Sequence, residues 1–430
     1  MKVEIDYGRG ALGVDVPSTN LLAVLRAREM CPVADVEQEV RRAIGHPVSG
    51  APLREIARGK RDACVVIPDK TRPLPNAQVL PAILRTLEEA DLPRERILIL
   101  IATGLHRPNE GSELDELVGE RIARDYRCEN HVARDRAGHK SLGRTLRGIT
   151  IEVDRRYLSA QLKLLVGLVE PHFMAGFSGG RKMVCPGIAS AGTITGLHSP
   201  ALLENERATT GMLAGNPVHE TSLEVARLAG ADFTLNVAID ARRQVVAVFA
   251  GGLEPAHETA ARFVRDFATA RIERRVPVVV TSCGGYPLDD TFYQAVKGIV
   301  GAASVLQEGG TIVAAGRLGE GIGGEEYRRL MLGARDWRRL ARSVLARGEV
   351  LIDQWEFEMH LRALRRGQTL FYTDGMDAAT LARCFVTPVG SVEEGIAKAL
   401  AKHGPGAEIA VIPQGPYVIA ECAAGEGGEA

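Results

Sequence analysis

The sequence predicts an α/β protein built on mainly parallel sheets flanked by helices. Three observations predict it. The length of 430 residues suits two domains at roughly 100–200 residues each. Short β-branched apolar runs alternate with amphipathic stretches almost from end to end, as in strands covered by helices on both faces. Polar and glycine-rich clusters fall directly after several of those strands, where open parallel sheets bind ligands.

Taken in order, Ala63–Pro68 (ACVVIP) reads as a buried strand, Leu80–Ala90 has helical spacing, and Ile97–Ala102 (ILILIA) is a second strand. Leu164–Val169, Phe233–Ile239 and Gln244–Phe249 continue the series. The charged tract Arg271–Arg275 reads as a domain joint, because a new strand–helix rhythm starts at Val276–Thr281. A helix near Thr291–Gln307, a strand at Gly310–Ala315 and one charged helix over Glu325–Ala346 follow. Strands at Thr369–Thr373 and Cys384–Pro388 and a helix at Val392–Lys402 come next. A last strand, Glu408–Ile412, can complete either sheet, and the tail Ala423–Ala430 is expected to fray.

Composition excludes several classes. The chain has 53 basic and 54 acidic residues, a formal charge of −1, so bulk charge favours neither nucleic acid nor an anionic membrane. Any anion must be held by local geometry. The seven cysteines are widely spaced without C-x-x-C, which argues against a disulfide framework or zinc knuckle and fits a reducing cytoplasm. The start, MKVEIDYGRG, lacks a signal-peptide core, and runs such as Ile97–Ala102 are too short to cross a bilayer. The expectation is a soluble cytoplasmic protein.

Five clusters carry candidate chemistry. After the first strand, Asp69 or Thr71 can cap a helix whose free N–H groups attract an anion, and Arg72 offers a planar fork for carboxylate or phosphate. The plainer alternative is a helix cap beside a surface arginine. After the second strand, His106 stands where a histidine can serve as general base, or simply as a surface residue. The tract Glu170–Gly187 joins His172 to a glycine-rich turn and Lys182. Successive N–H groups of Ser178–Gly180 form a candidate phosphate nest. It is not a P-loop, since Met183 stands where that motif needs a hydroxyl. Lys182 can act as a point charge or as an attachment amine.

His198 is a possible metal ligand, with no H-E-x-x-H or Cys/His set around it, so a metal would draw most donors from a cofactor. In the second half, Asp289 or Asp290 can cap a helix that puts Tyr293, Gln294 and Lys297 on one face. A polar face is most often merely solvated, but at a cleft mouth Lys297 can join Arg72 on a carboxylate. Trp355 is one of two tryptophans and otherwise a packed aromatic.

Together these clusters resemble the nickel-pincer lactate racemase family. The matching pieces are DKTRP (69–73), TGLH (103–106), EPHFMAGFSGGRK (170–182), TGLH (195–198), GYPLDDTFYQAVKG (285–298) and DQW (353–355). The resemblance implies two α/β domains with the site in the cleft. They are expected to comprise 1–272, completed by 405–430, and 273–404. It also implies a nickel-pincer nucleotide, a pyridinium-derived mononucleotide whose two sulfurs and one ring carbon grip nickel. Lys182 matches the lysine that binds it covalently, His198 the nickel ligand, and His106 and His172 the acid/base pair. Arg72, Tyr293, Gln294 and Lys297 match substrate-binding positions. Asp69, Thr71, Phe177, Ser178, Gly179, Gly180 and Trp355 are expected around the cofactor.

A square-planar nickel with three cofactor donors leaves one place for His198. The nest Ser178–Gly180 and a helix start near Thr71 become candidates for the cofactor phosphate. The implied activity is racemisation or epimerisation of a 2-hydroxy acid by reversible hydride transfer, with cofactor-synthesis enzymes as partners and no nucleic acid or membrane. A nicotinamide-dependent oxidoreductase is the alternative from another class, against which the missing G-x-G-x-x-G counts. A non-catalytic nickel or nucleotide carrier is the third reading. Lactate needs a small pocket, whereas malate, aryl or sugar acids need room or another cation, for which Arg107 and Arg181 are the neighbours in sequence.

Overall fold

The computed structural model describes residues 1–423, and most of the tail expected to fray lies outside them. Two six-stranded sheets organise the chain. The first runs Val245–Gly251, Phe233–Ile239, Leu162–Leu168, Ala63–Pro68, Ile97–Ala102, Arg127–Asn130 across its width. It is parallel except for the edge strand Val245–Gly251. All six residues of Ala63–Pro68 are buried, which explains why this central strand is a continuous apolar run. The strand order reverses beside it, between Ala63–Pro68 and Leu162–Leu168, and so opens a crevice beyond their carboxyl ends.

The second sheet is entirely parallel, in the order Thr387–Val389, Gly367–Tyr372, Leu306–Ala315, Val276–Ser282, Ile409–Ile412, Leu21–Val24. Two features differ from the sequence reading. The strand Ile409–Ile412 lies between Val276–Ser282 and Leu21–Val24, so this part of the segment expected at 405–430 belongs to the second sheet and not to the N-terminal one. The amino end also joins this second body: Val3, Ile5 and Val14 of the hairpin Lys2–Asp15, with Val16 just after it, pack on Val278, Val280 and Val411. Apolar pattern gives a strand's face but not its partner, and these contacts join residues about 400 positions apart. Among the described residues of that segment, Ile419–Cys422 returns, pairing with Thr269–Ile272 at the joint.

Two further expectations change. The charged stretch Glu325–Ala346 is two helices, Glu325–Leu332 and Trp337–Leu345. Gly333 ends the first, and the Asp336 carboxylate caps the second by accepting from Arg339 N. Cys384 lies before the short strand Thr387–Val389, in a turn where Phe385 takes a φ of 61°. Among the described residues, no helix is long and apolar enough to cross a membrane.

Candidate active site

The segments after three neighbouring strands of the first sheet meet the starts of two helices of the second body around one cavity. From Ala63–Pro68 come Asp69, Thr71 and Arg72; from Ile97–Ala102 comes His106; from Leu162–Leu168 comes His172. The helix Phe292–Ala303 contributes Tyr293, Gln294 and Lys297, and the helix Gln354–Arg366 contributes Trp355 and Glu356.

Asp69 is buried at 4% exposure and fully engaged. Its Oδ1 accepts from Thr71 N at 3.1 Å and Thr71 Oγ1 at 2.6 Å, and its Oδ2 lies 2.6 Å from His106 Nδ1. Burial alone would raise its pKa, but the His106 contact, the Thr71 hydroxyl and nearby Arg72 bring it below the ordinary value. No helix begins near Thr71: the next one starts at Asn76 behind Pro75, so neither Asp69 nor Thr71 caps it. These side chains serve the site instead.

Arg72 Nε lies 3.2 Å from Glu170 Oε1, and both are largely buried. Burial raises the Glu170 pKa against the pull of Arg72. His172 Nδ1 accepts from Met174 N at 3.4 Å and Ala175 N at 3.3 Å, which puts the neutral ring's proton on Nε2. That Nε2 stands 3.1 Å from Lys182 Nζ. Burial, then the charges of Arg72, Arg181 and Lys297, hold the Lys182 amine well below its ordinary pKa. Burial and Lys182 likewise depress His172. Burial and the neighbouring charges both favour the uncharged, nucleophilic form of the Lys182 amine.

His198 ends the helix Ala191–Leu197, its Nδ1 bonded to Ile194 O at 2.8 Å and its ring stacked on Trp355 at 4.7 Å between centroids. That bond leaves Nε2 towards the cavity. Burial pushes His198 down to about 3. Trp355 Nε1 donates to Tyr293 OH at 2.8 Å, tying the two helices together. Lys297 Nζ donates to Gln294 Oε1, and burial lowers its pKa.

Thirteen of the fifteen expected site residues therefore line this cavity: Phe177 and Gly180 do not. Phe177 packs in the core with Val169, Val264 and Phe267. Gly180 faces His257, whose ring a Cβ would meet at 2.7 Å. The expected phosphate nest is also closed. Ser178 N donates to Glu170 O and Gly180 N to Asn236 Oδ1, both at 3.0 Å, although Ser178 and Gly179 do line the cavity. In the second body, Thr291 caps the helix in place of Asp289 or Asp290, accepting from Gln294 N. Asp289 is buried and accepts from Gly8 N and Arg317 N.

Three acids were given no role from sequence, although Glu170 and Asp353 stand in the quoted motifs. Glu170 follows an all-apolar strand directly, which is a readable signal. Asp353 and Glu356 also line the cavity. Glu356 belongs to a helix in which the eight consecutive residues Gln354–Leu361 are buried, with Ala363 and Leu364 beyond Arg362, so no amphipathic stripe marks it.

A two-bodied α/β enzyme with convergent histidines, lysines and an arginine in the cleft is the class that this fold and site define. Family models for the lactate racemase N-terminal domain and C-terminal domain match residues 7–211 and 272–420. The lactate racemase of Thermoanaerobacterium thermosaccharolyticum is 33% identical over 421 residues, 97% of this chain and 98% of that protein. The lactate racemase of Lactiplantibacillus plantarum is 34% identical over 391 residues, 89% and 91% of the two chains. The solved apoprotein from T. thermosaccharolyticum superposes with a TM-score of 0.93, covering 98% of this chain and 100% of its own. A Thermotoga maritima protein, 18% identical with a TM-score of 0.70 over 90% and 98% of the chains, shares the fold. The chain belongs to the lactate racemase family, and it is an isomerase of the racemase type.

Proposed function

We propose that this racemase acts on a small 2-hydroxy acid, lactate first among them, with a nickel-pincer nucleotide carried on Lys182. The single observation that supports this most is the buried amine of Lys182, its pKa lowered by burial, in one cavity with His198 and both acid/base histidines.

The residues fit such a group. Among the described residues, no three His, Cys, Asp or Glu side chains converge as a metal site, so a metal here needs donors from a cofactor. His198, anchored through Nδ1, offers one nitrogen, and Lys182 offers the attachment point. When bound, the group would supply an electrophilic ring and metal able to take up and return the hydrogen of the substrate α-carbon.

The chain's own part follows from its geometry. Arg72 and Lys297 hold the substrate carboxylate, and Gln294 steadies the Lys297 ammonium. Asp69 keeps the His106 proton on Nδ1, so Nε2 is free to take the hydroxyl proton. His172, with its proton on Nε2, is the complementary partner, and a racemase needs both because either enantiomer is substrate. Phe173, Met174 and Trp355 give the cavity apolar walls that exclude water. Loading is assigned to cofactor-synthesis enzymes in the cytoplasm.

Co-production with such enzymes tests the reading. Intact mass should show an adduct on Lys182 with about one nickel, and a panel of enantiopure hydroxy acids followed by chiral chromatography should show racemisation. Loaded protein that racemises no hydroxy acid contradicts the proposal; net transfer of reducing equivalents to free nicotinamide would favour an oxidoreductase.

A further inference from the structure

The cleft supplies cations for one carboxylate only. Arg72 and Lys297 are the positive groups left for substrate once Lys182 is the attachment amine. Both neighbours in sequence that might have added a charge are engaged elsewhere. Arg107 points outward, its Nη1 and Nη2 each 2.7 Å from a Glu113 oxygen. Arg181 is buried behind the turn, donating to Ala175 O at 2.7 Å and lying 2.8 Å from His257 Nε2.

The remaining charged wall is acidic, beside the neutral side chains of Thr71, Thr103, Ser178, Tyr293 and Gln294. Asp69 is taken up by His106 and Thr71, while Asp353 and Glu356 also face the cavity. Glu356 is 1% exposed, and its Oε1 has no hydrogen-bond partner. It shares the cavity with Lys297, which sits on the facing helix. A second substrate carboxylate would therefore be buried without a cation of its own, with only neutral donors such as the Gln294 amide to meet it beside these acids. Burying an unpaired charge is costly, and a site can reject a ligand by this means alone.

We infer that the cleft takes monocarboxylic 2-hydroxy acids and turns away dicarboxylic ones, with Glu356 the side chain that sets this limit. The inference rests on the hydroxy-acid racemase reading above and narrows its substrate class. Glu356, buried with its Oε1 unpartnered, occupies the wall where a second carboxylate would need a cation. Glu356→Gln keeps the shape and removes the acid; Glu356→Lys adds the missing cation.

The test compares kcat/KM for lactate and malate in loaded wild type, E356Q and E356K, with intact mass confirming the Lys182 adduct in each. Wild type should prefer lactate at least 100-fold. E356Q should narrow the ratio about tenfold, and E356K should narrow it further. A lost fold would depress both acids together and leave the ratio alone. Wild type that turns over malate within tenfold of lactate overturns the inference, as does an unchanged ratio in both variants. If loaded wild type turns over neither acid, the racemase reading fails separately, and the selectivity is read from calorimetric binding of the two acids. Binding of malate as tight as that of lactate would then overturn it too.

Discussion

Asp69 Oδ2 lies 2.6 Å from His106 Nδ1, and the same carboxylate is anchored by the backbone and hydroxyl of Thr71. A buried carboxylate on one ring nitrogen fixes which nitrogen is basic, so a catalytic role for His106 depends on Asp69. Asp69→Asn should cut racemisation by about 10³-fold or more while the Lys182 adduct and nickel remain. The rate of loaded protein, read beside its intact mass and nickel content, checks this. An unimpaired rate would remove Asp69 from the machinery.

Lys297 and Arg72 should fail differently. Lys297→Ala removes one charge-assisted contact to substrate, which is worth about 10–100-fold, and the loss should appear mainly in KM. Arg72→Ala also leaves Glu170 buried and unpaired, since the two stand 3.2 Å apart. It should cost about 3 kcal/mol of stability as well as activity. Denaturant melts of both variants separate the two outcomes.

The bond from His198 to nickel should be unusually resistant to acid. A proton competes with the metal for His198 Nε2, and burial has pushed this imidazole down to about 3. Loaded protein at pH 5 should keep this ligand, read as an unchanged visible absorption spectrum, with its loss setting in only as pH approaches 3. Loss of the ligand centred near 6.5, the value of an ordinary histidine, would contradict the assignment.

A structural network supports the site from behind. Asp154 Oδ2 lies 2.9 Å from His131 Nδ1 and 2.6 Å from Arg156 Nη2, and His131 Nε2 reaches Ala189 O just before the helix that ends at His198. Burial would raise the Asp154 pKa, but these partners carry it well below its ordinary value. A folded pKa below the unfolded one gives stability that is present above the unfolded value of about 4 and lost as pH falls through the folded one. Asp154→Asn should therefore cost about 3 kcal/mol at pH 7, and the cost should shrink only gradually once pH falls below about 4, measured by denaturant unfolding.

Local chemistry was legible in the sequence, and long-range assembly was not. Ala63–Pro68, Ile97–Ala102 and Phe233–Ile239 are the strands their apolar runs predict. His106, His172, Lys182, His198 and Lys297 line one cavity because strand ends and helix starts carry them there. The helix caps were misplaced because several capping residues stand in a row, and only backbone direction decides between Asp289, Asp290 and Thr291. The nest at Ser178–Gly180 looked open because the sequence does not show that Asn236, on a neighbouring strand, accepts from Gly180 N. The amino-terminal hairpin's place on the second sheet follows from contacts across nearly the whole chain, to which pattern reading is blind. Glu356 escaped notice because its helix is buried on nearly every side.

The central claim is that two imidazoles in one cleft exchange the substrate's proton beside a group carried on Lys182. Loaded His106→Ala and His172→Ala proteins, each given one enantiomer of lactate and followed by chiral chromatography, test it most directly. The account predicts that both variants keep the Lys182 adduct and nickel yet fail to racemise either enantiomer. Full racemisation by either variant with its adduct in place would contradict it.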